Sequence, residues 1–266
     1  MKLCRFQHKD FFAPHYGILE DDFVRPLLDA DAMGSRPRVR IDKLPLAEVQ
    51  ILAPVAPSKI VCVGRNYKEH AAELGNKMPT EPLLFLKAPS SIIASQEKIQ
   101  LPPESGQVEH EGELGVVIGR TACRIPDSDD PLSYVLGYTC VNDVTARDLQ
   151  RKDVQFTRAK SFDTFCPVGP ILSTDLNPLD VTVTTRLNGE VRQQASTAAM
   201  AFPISMLLRY ISHAMTLLPG DLISTGTPAG VSAMKAGDTV EVEIEGIGVL
   251  RNEVSDQICA GVAEES

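Results

Sequence analysis

The chain has 266 residues, 43% of them hydrophobic, enough apolar surface for one large domain or for a small domain joined to a larger one. Its formal charge of −9 and pI near 5.1 argue against nucleic acid or an anionic membrane as partner, since both attract basic surfaces. Six cysteines are scattered without a C-x-x-C pair, and no segment reaches the roughly 20 apolar residues of a membrane helix, so the expectation is a soluble cytoplasmic protein with reduced thiols.

Residues 1–55 read as a small N-terminal β subdomain. Leu3–Phe6 and Tyr16–Glu20 have strand texture, and Asp21-Asp22 makes a turn between polar neighbours. Leu44–Val49 and the prolines Pro54 and Pro57 read as a connector into a second unit, residues 56–266. There Ile60–Gly64 is a buried-strand run. Tyr67–Leu74 follows as a helix, with Asn66 as its N-cap and Gly75-Asn76 as its stop. Residues 76–82 are polar and carry two prolines, which predicts a loop. Beyond it, short strands are expected at Leu114–Ile118, Leu136–Val141, Val181–Asn188, Leu222–Thr225, Thr239–Ile244 and Val249–Val254. Helices are expected only from Thr145 past Gln150 and over Pro203–Ser212, where Ile204, Leu207, Leu208 and Ile211 recur at helical spacing. The class is α+β, mostly β, without the regular strand–helix alternation of a doubly wound sheet. There is no phosphate-binding or dinucleotide-binding glycine motif.

Chemistry concentrates at Glu109, Glu111 and Glu113, which alternate just ahead of the apolar run Leu114–Ile118. Side chains two apart on a strand share a face. Like charges held that close resist joint ionisation, and a hard divalent cation would offset the repulsion. A solvated strand edge fits the same pattern. Asp143 falls where a strand gives way to a helix, the place of a helix cap or of a third oxygen ligand. His70 and Glu73, three apart, share a helix face; a carboxylate beside an imidazole makes a general base, or simply a surface pair. Lys160 is either a solvated cation or an oxyanion partner. The stretch Gly220–Val231, rich in Gly, Ser and Thr around Gly226 and Thr227, is either a tight turn or an anion grip.

In order along the chain stand G-R-N-Y-x-x-H-x-x-E, E-x-E-L-G-V-V-I-G, N-D-x-T-A-R-D-x-Q, A-K-S-F-D and S-T-G-T-P-x-G-V. Together they resemble the fumarylacetoacetate hydrolase superfamily from about residue 58 to residue 254, closest to its small bacterial and acylpyruvase-like members. The resemblance implies a mixed β-roll core, usually in a homodimer. It implies Mg2+ or Mn2+ on Glu111, Glu113 and Asp143, leaving Glu109 outside the ligand set. It implies a catalytic set of His70 and Glu73, on a mobile lid, with Lys160. Gln150, Thr227 and Gly226 fall at positions implied to hold a small anionic oxo-acid substrate. The implied activity is cleavage of a C–C bond in a 2-oxo or 1,3-dicarbonyl acid by a hydrolase or lyase. Isomerisation of unsaturated oxo-diacids, or decarboxylation of oxaloacetate, is the alternative on the same metal–enolate chemistry. A non-catalytic binding protein on the same fold is the rival from another class.

Overall fold

The computed structural model describes residues 1–28 and 38–256. The described residues up to 55 supply β1 (Lys2–Gln7), β2 (His15–Glu20), β3 (Phe23–Pro26), β4 (Leu44–Pro45) and β5 (Gln50–Leu52). The connector expected over Leu44–Val49 therefore holds a short strand and a 3-10 turn, and a further strand follows it at once. Next come β6 (Ile60–Gly64), helix α1 (Lys68–Glu73), β7 (Leu83–Lys87), β8 (Ile92–Ile93), β9 (Lys98–Leu101) and β10 (Val108–Glu109). The middle of the chain forms β11 (Gly112–Ile118), β12 (Val135–Asn142), β13 (Thr145–Ala146), helices α2 (Arg147–Lys152) and α3 (Thr157–Lys160), and β14 (Cys166–Ser173). The last third supplies β15 (Thr182–Leu187), β16 (Glu190–Ser196), helix α4 (Ile204–Ala214), β17 (Leu222–Ser224), β18 (Thr239–Ile244) and β19 (Gly248–Asp256).

The fold is mostly β with few helices, as its sequence texture predicts. A twelve-stranded mixed sheet runs β4-β3-β2-β1-β14-β12-β11-β17-β6-β7, with β5 and β8 attached beside this path. The N-terminal strands enter it through β1, whose Lys2 and Leu3 pair with Ser173 and Leu172 of β14. A five-stranded sheet, β16-β15-β18-β19-β9, packs against it. A two-stranded ladder, β10-β13, pairs Glu109 with Thr145 and Val108 with Ala146, just ahead of α2.

β11 is buried along its whole length. Leu114, Val116 and Ile118 pack with Leu207, Leu208 and Ile211 of α4, while Val117 joins Ile60, Cys62, Val141 and Leu222 in another cluster. Full burial of each such side chain contributes about 1.5–3 kcal/mol, so the strand that carries the acidic stretch is also among the best anchored. A third cluster, with Val108, Val144, Ala146, Leu149, Ala159 and Phe165, fixes α2 and α3 beside it. β14 went unforeseen because Pro167, Gly169 and Pro170 look like loop residues; its central place between β1 and β12 overrides that local preference.

Candidate metal centre and its cavity

The three alternating acids do not lie on one continuous strand. β10 ends at Glu109 and pairs with β13, whereas β11 begins at Gly112 and pairs with β12. The backbone between them still turns Glu111 and Glu113 to one place. There they meet Asp143, whose N–H donates to the Glu111 carbonyl at 2.8 Å. One carboxylate oxygen from each of Glu111, Glu113 and Asp143 lies within 4.8 Å of the others, and all three residues are buried. Glu109 is outside this group. Asp143 caps no helix: α2 starts at Arg147, with Ala146 at the cap position.

Gly112, between the two glutamates, has a steric reason for being glycine. A Cβ there would lie 2.0 Å from Thr185 Oγ1 of β15. The two sheets touch at this point, and any side chain would push the ligand strand away from its neighbour.

Cations surround the acids unevenly. Lys87 Nζ donates to Asp143 Oδ1 at 2.6 Å and to the Val144 carbonyl at 3.2 Å. Lys160 Nζ donates to Asp143 Oδ2 at 2.6 Å and to Glu111 Oε2 at 2.7 Å. Arg147 donates through Nε to Glu109 at 2.7 Å, through Nη2 to Glu111, and through Nη1 to Gln150 Oε1 at 2.6 Å. Burial works against charge on Glu111, but Lys160 and Arg147 outweigh it and hold its carboxyl well below the usual range. Glu113 has no such cation. Its Oε2 accepts only from the Ser224 hydroxyl and the Gly226 N–H, and burial, with Asp143 and Glu111 alongside, pushes its carboxyl up to about 8.

This donor set fits a hard divalent ion. It offers carboxylate oxygens from three residues, and Glu113, the acid without a cationic partner, is where added positive charge is missing.

His70 and Glu73 stand on α1, with Nδ1 3.3 Å from Glu73 Oε2. The Glu73 carboxylate also accepts from the Gly230 N–H at 3.0 and 3.2 Å, tying α1 to the loop after β17. Asn66 is not the N-cap of α1. Its side chain is buried and spans to the carbonyls of Phe202 and Thr225 and to the N–H of Phe202. Tyr67 takes the cap position without a side-chain cap bond, and the helix stops at Gly75, which sits at φ +69.

One cavity of about 430 Å3 is lined by His70, Glu73, Glu111, Glu113, Asp143, Gln150, Lys160 and Thr227 together. His70 and Thr227, 157 residues apart in sequence, thus line one cavity. Gln150 and Thr227 reach it with side chains already engaged. Gln150 accepts from Arg147, and the Thr227 hydroxyl donates to the Gly112 carbonyl at 2.9 Å and accepts from Gln193 at 2.7 Å. Gly226 contributes its N–H to Glu113 instead of facing the cavity. Lys160 bridges two acids of the floor.

Three participants were not singled out from sequence. Lys87 had a usable signal, a lysine closing the apolar strand Leu83–Lys87. Arg147 lay within a quoted motif, four residues after Asp143. Gln193 had none: it is the buried residue of β16, bonded to His110, Gly112, Thr227 and Pro228.

A mixed-sheet fold in which a buried acidic triad and a His–Glu pair line one cavity defines a class of candidate metal centre. The chain belongs to the fumarylacetoacetate (FAA) hydrolase C-terminal family, matched over residues 59–255, and residues 1–54 match the Rv2993c-like N-terminal family. It is 42% identical over 79% of its length to the oxaloacetate tautomerase YisK of Bacillus subtilis, covering 74% of that protein. It is 38% identical over 96% of its length to the bovine mitochondrial oxaloacetate tautomerase FAHD2A, covering 91% of it. Among solved structures, 5-carboxymethyl-2-hydroxymuconate delta-isomerase from Mycobacterium smegmatis superposes with a TM-score of 0.88 at 42% identity, over 97% of this chain and 100% of that one. Among the described residues, no helix is long and apolar enough to cross a membrane.

Proposed function

We propose that the protein is a divalent-metal-dependent isomerase or keto–enol tautomerase of 2-oxo diacids. The observation that carries this reading is a single cavity with three buried carboxylates on its floor and a His–Glu pair on its wall. Glu111, Glu113 and Asp143 would hold Mg2+ or Mn2+, which when bound supplies Lewis-acid stabilisation for charge building on the oxo oxygen. His70, oriented by Glu73, takes a proton from the carbon beside the oxo group and returns it to oxygen or to another carbon. Arg147 and Lys160 keep Glu111 ionised, and Lys87 and Lys160 grip Asp143, so these two acids are held in place. Hydrolysis or lysis of a C–C bond would need an attacking water or a carbon leaving group in addition. Isomerisation needs only the proton transfer that this pair supplies, and the named relatives favour it.

The test follows the enol absorbance of oxaloacetate with and without Mg2+ or Mn2+, alongside product analysis on an acylpyruvate. Metal-dependent acceleration of ketonisation without cleavage products supports the reading. Cleavage products from the acylpyruvate, with no effect on oxaloacetate, would return the assignment to a hydrolase.

A further inference from the structure

The cations lining the cavity are not equally occupied. Arg147 and Lys160 are committed to the buried acids. Arg151 is exposed and makes one 3.3 Å bond, to Gln107. Arg65 lines the same cavity half-buried, and among the described residues its guanidinium has neither an ion pair nor a hydrogen bond. A half-buried guanidinium has lost part of its water and gains more from an anion than a fully solvated one does.

The backbone at Arg65 adds an independent observation. Its φ is +57, the left-handed region that a non-glycine residue seldom occupies. The conformation is held from outside. Asn66 bonds to Phe202 on both its amide oxygen and nitrogen, its side chain also reaches the Thr225 carbonyl at 2.7 Å, and its carbonyl accepts from Ala201 at 2.8 Å. Gly226 packs so close that a Cβ there would lie 2.7 Å from Asn66 Cβ. Strain of this kind persists where the surroundings over-determine it, and it concentrates at functional positions.

We propose that Arg65 is the specificity residue that pairs with the distal carboxylate of the substrate. The inference rests on the proposed chemistry, in which the 2-oxo acid end lies at the acidic floor. It adds that the protein selects 2-oxo diacids over 2-oxo monoacids, and that the selecting charge sits on the wall beside His70. The cavity, at about 430 Å3, is of a size that holds small-molecule ligands.

Binding to the Mn2+-loaded protein tests this without requiring turnover. Pyruvate and 2-oxoglutarate share the 2-oxo carboxylate and differ in whether a distal carboxylate is present. Calorimetric titration of the wild type should favour 2-oxoglutarate by about tenfold or more, the worth of one charged hydrogen-bonded pair. Arg65→Gln should bring the two affinities to within about twofold while leaving pyruvate nearly unchanged, and Arg65→Lys should restore part of the preference. Should Arg65→Gln melt early, Arg65→Asn repeats the test, since asparagine tolerates the left-handed backbone well. The proposal is overturned if the wild type shows no preference, if the variant keeps it, if both probes weaken equally, or if Arg151→Gln removes it instead. Wild-type turnover of oxaloacetate, measured separately, reports on the proposed activity, so the two failures are distinguishable.

Discussion

The floor and the wall of the cavity are built on opposite principles. The floor places acids on or beside the ends of buried strands and surrounds them with Lys87, Arg147 and Lys160, each almost wholly buried and each bonded to one or two carboxylates. The wall is a six-residue helix whose Glu73 is one-third exposed and whose His70 contact is 3.3 Å long. A charged floor is rigid because every ion in it depends on its partners; removing one strands another in a medium of low polarity. A short helix with a few bonds can shift without breaking anything expensive. The division matches the proposed chemistry, in which ligand acids must not move and a proton-transfer pair must meet a variable substrate.

The largest effect should come from breaking the floor. Asp143→Ala leaves Lys87 and Lys160 facing each other without their shared acid, so it should cost about 3–5 kcal/mol of stability. Denaturant titration would measure that loss, and calorimetry with Mn2+ should find tight binding gone. A variant as stable as the wild type would mean that the floor is not an interdependent ionic unit.

Breaking the wall should separate function from stability. His70→Ala should lower turnover by about 10²–10⁴-fold while Mn2+ affinity and the unfolding midpoint stay near wild type. Full turnover in that variant would remove His70 from the proton path.

Between the two in kind, and smaller, is Gly112→Ala. The added methyl meets Thr185 Oγ1, so overpacking should cost about 1–3 kcal/mol and weaken Mn2+ binding as Glu111 and Glu113 part. The double variant with Thr185→Ala should recover most of the loss; an unrescued double variant would show that the clash is not the cause.

The smallest effect concerns the seam between floor and wall. Asp221 accepts from Ser58, Lys59 and Leu218, joining the start of β6, which leads to the wall, to the start of β17, which leads to Ser224. Burial opposes its charge, but the Lys59 and Ser58 bonds prevail and hold its carboxyl below the usual Asp range. A depressed folded pKa means stability that is complete above the usual Asp value, about 3.9, and lost as pH falls through the folded value. Asp221→Asn should therefore flatten the acid limb of the stability–pH curve, followed by thermal melts. An unchanged limb would place the acid sensitivity elsewhere.

Much of the cavity's chemistry was legible in the sequence, because its elements are local. Alternation brought Glu111 and Glu113 near one another, and spacing of three brought Glu73 to His70. The alternation misled over Glu109, which the break between β10 and β11 sends to Arg147 and Gln107 instead. Asn66 misled for a related reason: a good cap residue next to a helix was recruited by the distant carbonyls of Phe202 and Thr225, whose burial made its amide more valuable there.

What the sequence determined alone was the β-rich class, the ordered motifs and the identity of the charged groups. All of these follow from periodicity and residue type within a few positions. The tertiary structure alone decided which charged and polar groups pair. Lys87 and Asp143 are 56 residues apart, Gln193 and Thr227 are 34 apart, and Glu73 and Gly230 are 157 apart. Those pairings are set by strand register and by the energetic demand that a polar or charged group removed from water find a partner, and neither is written in any short stretch of chain.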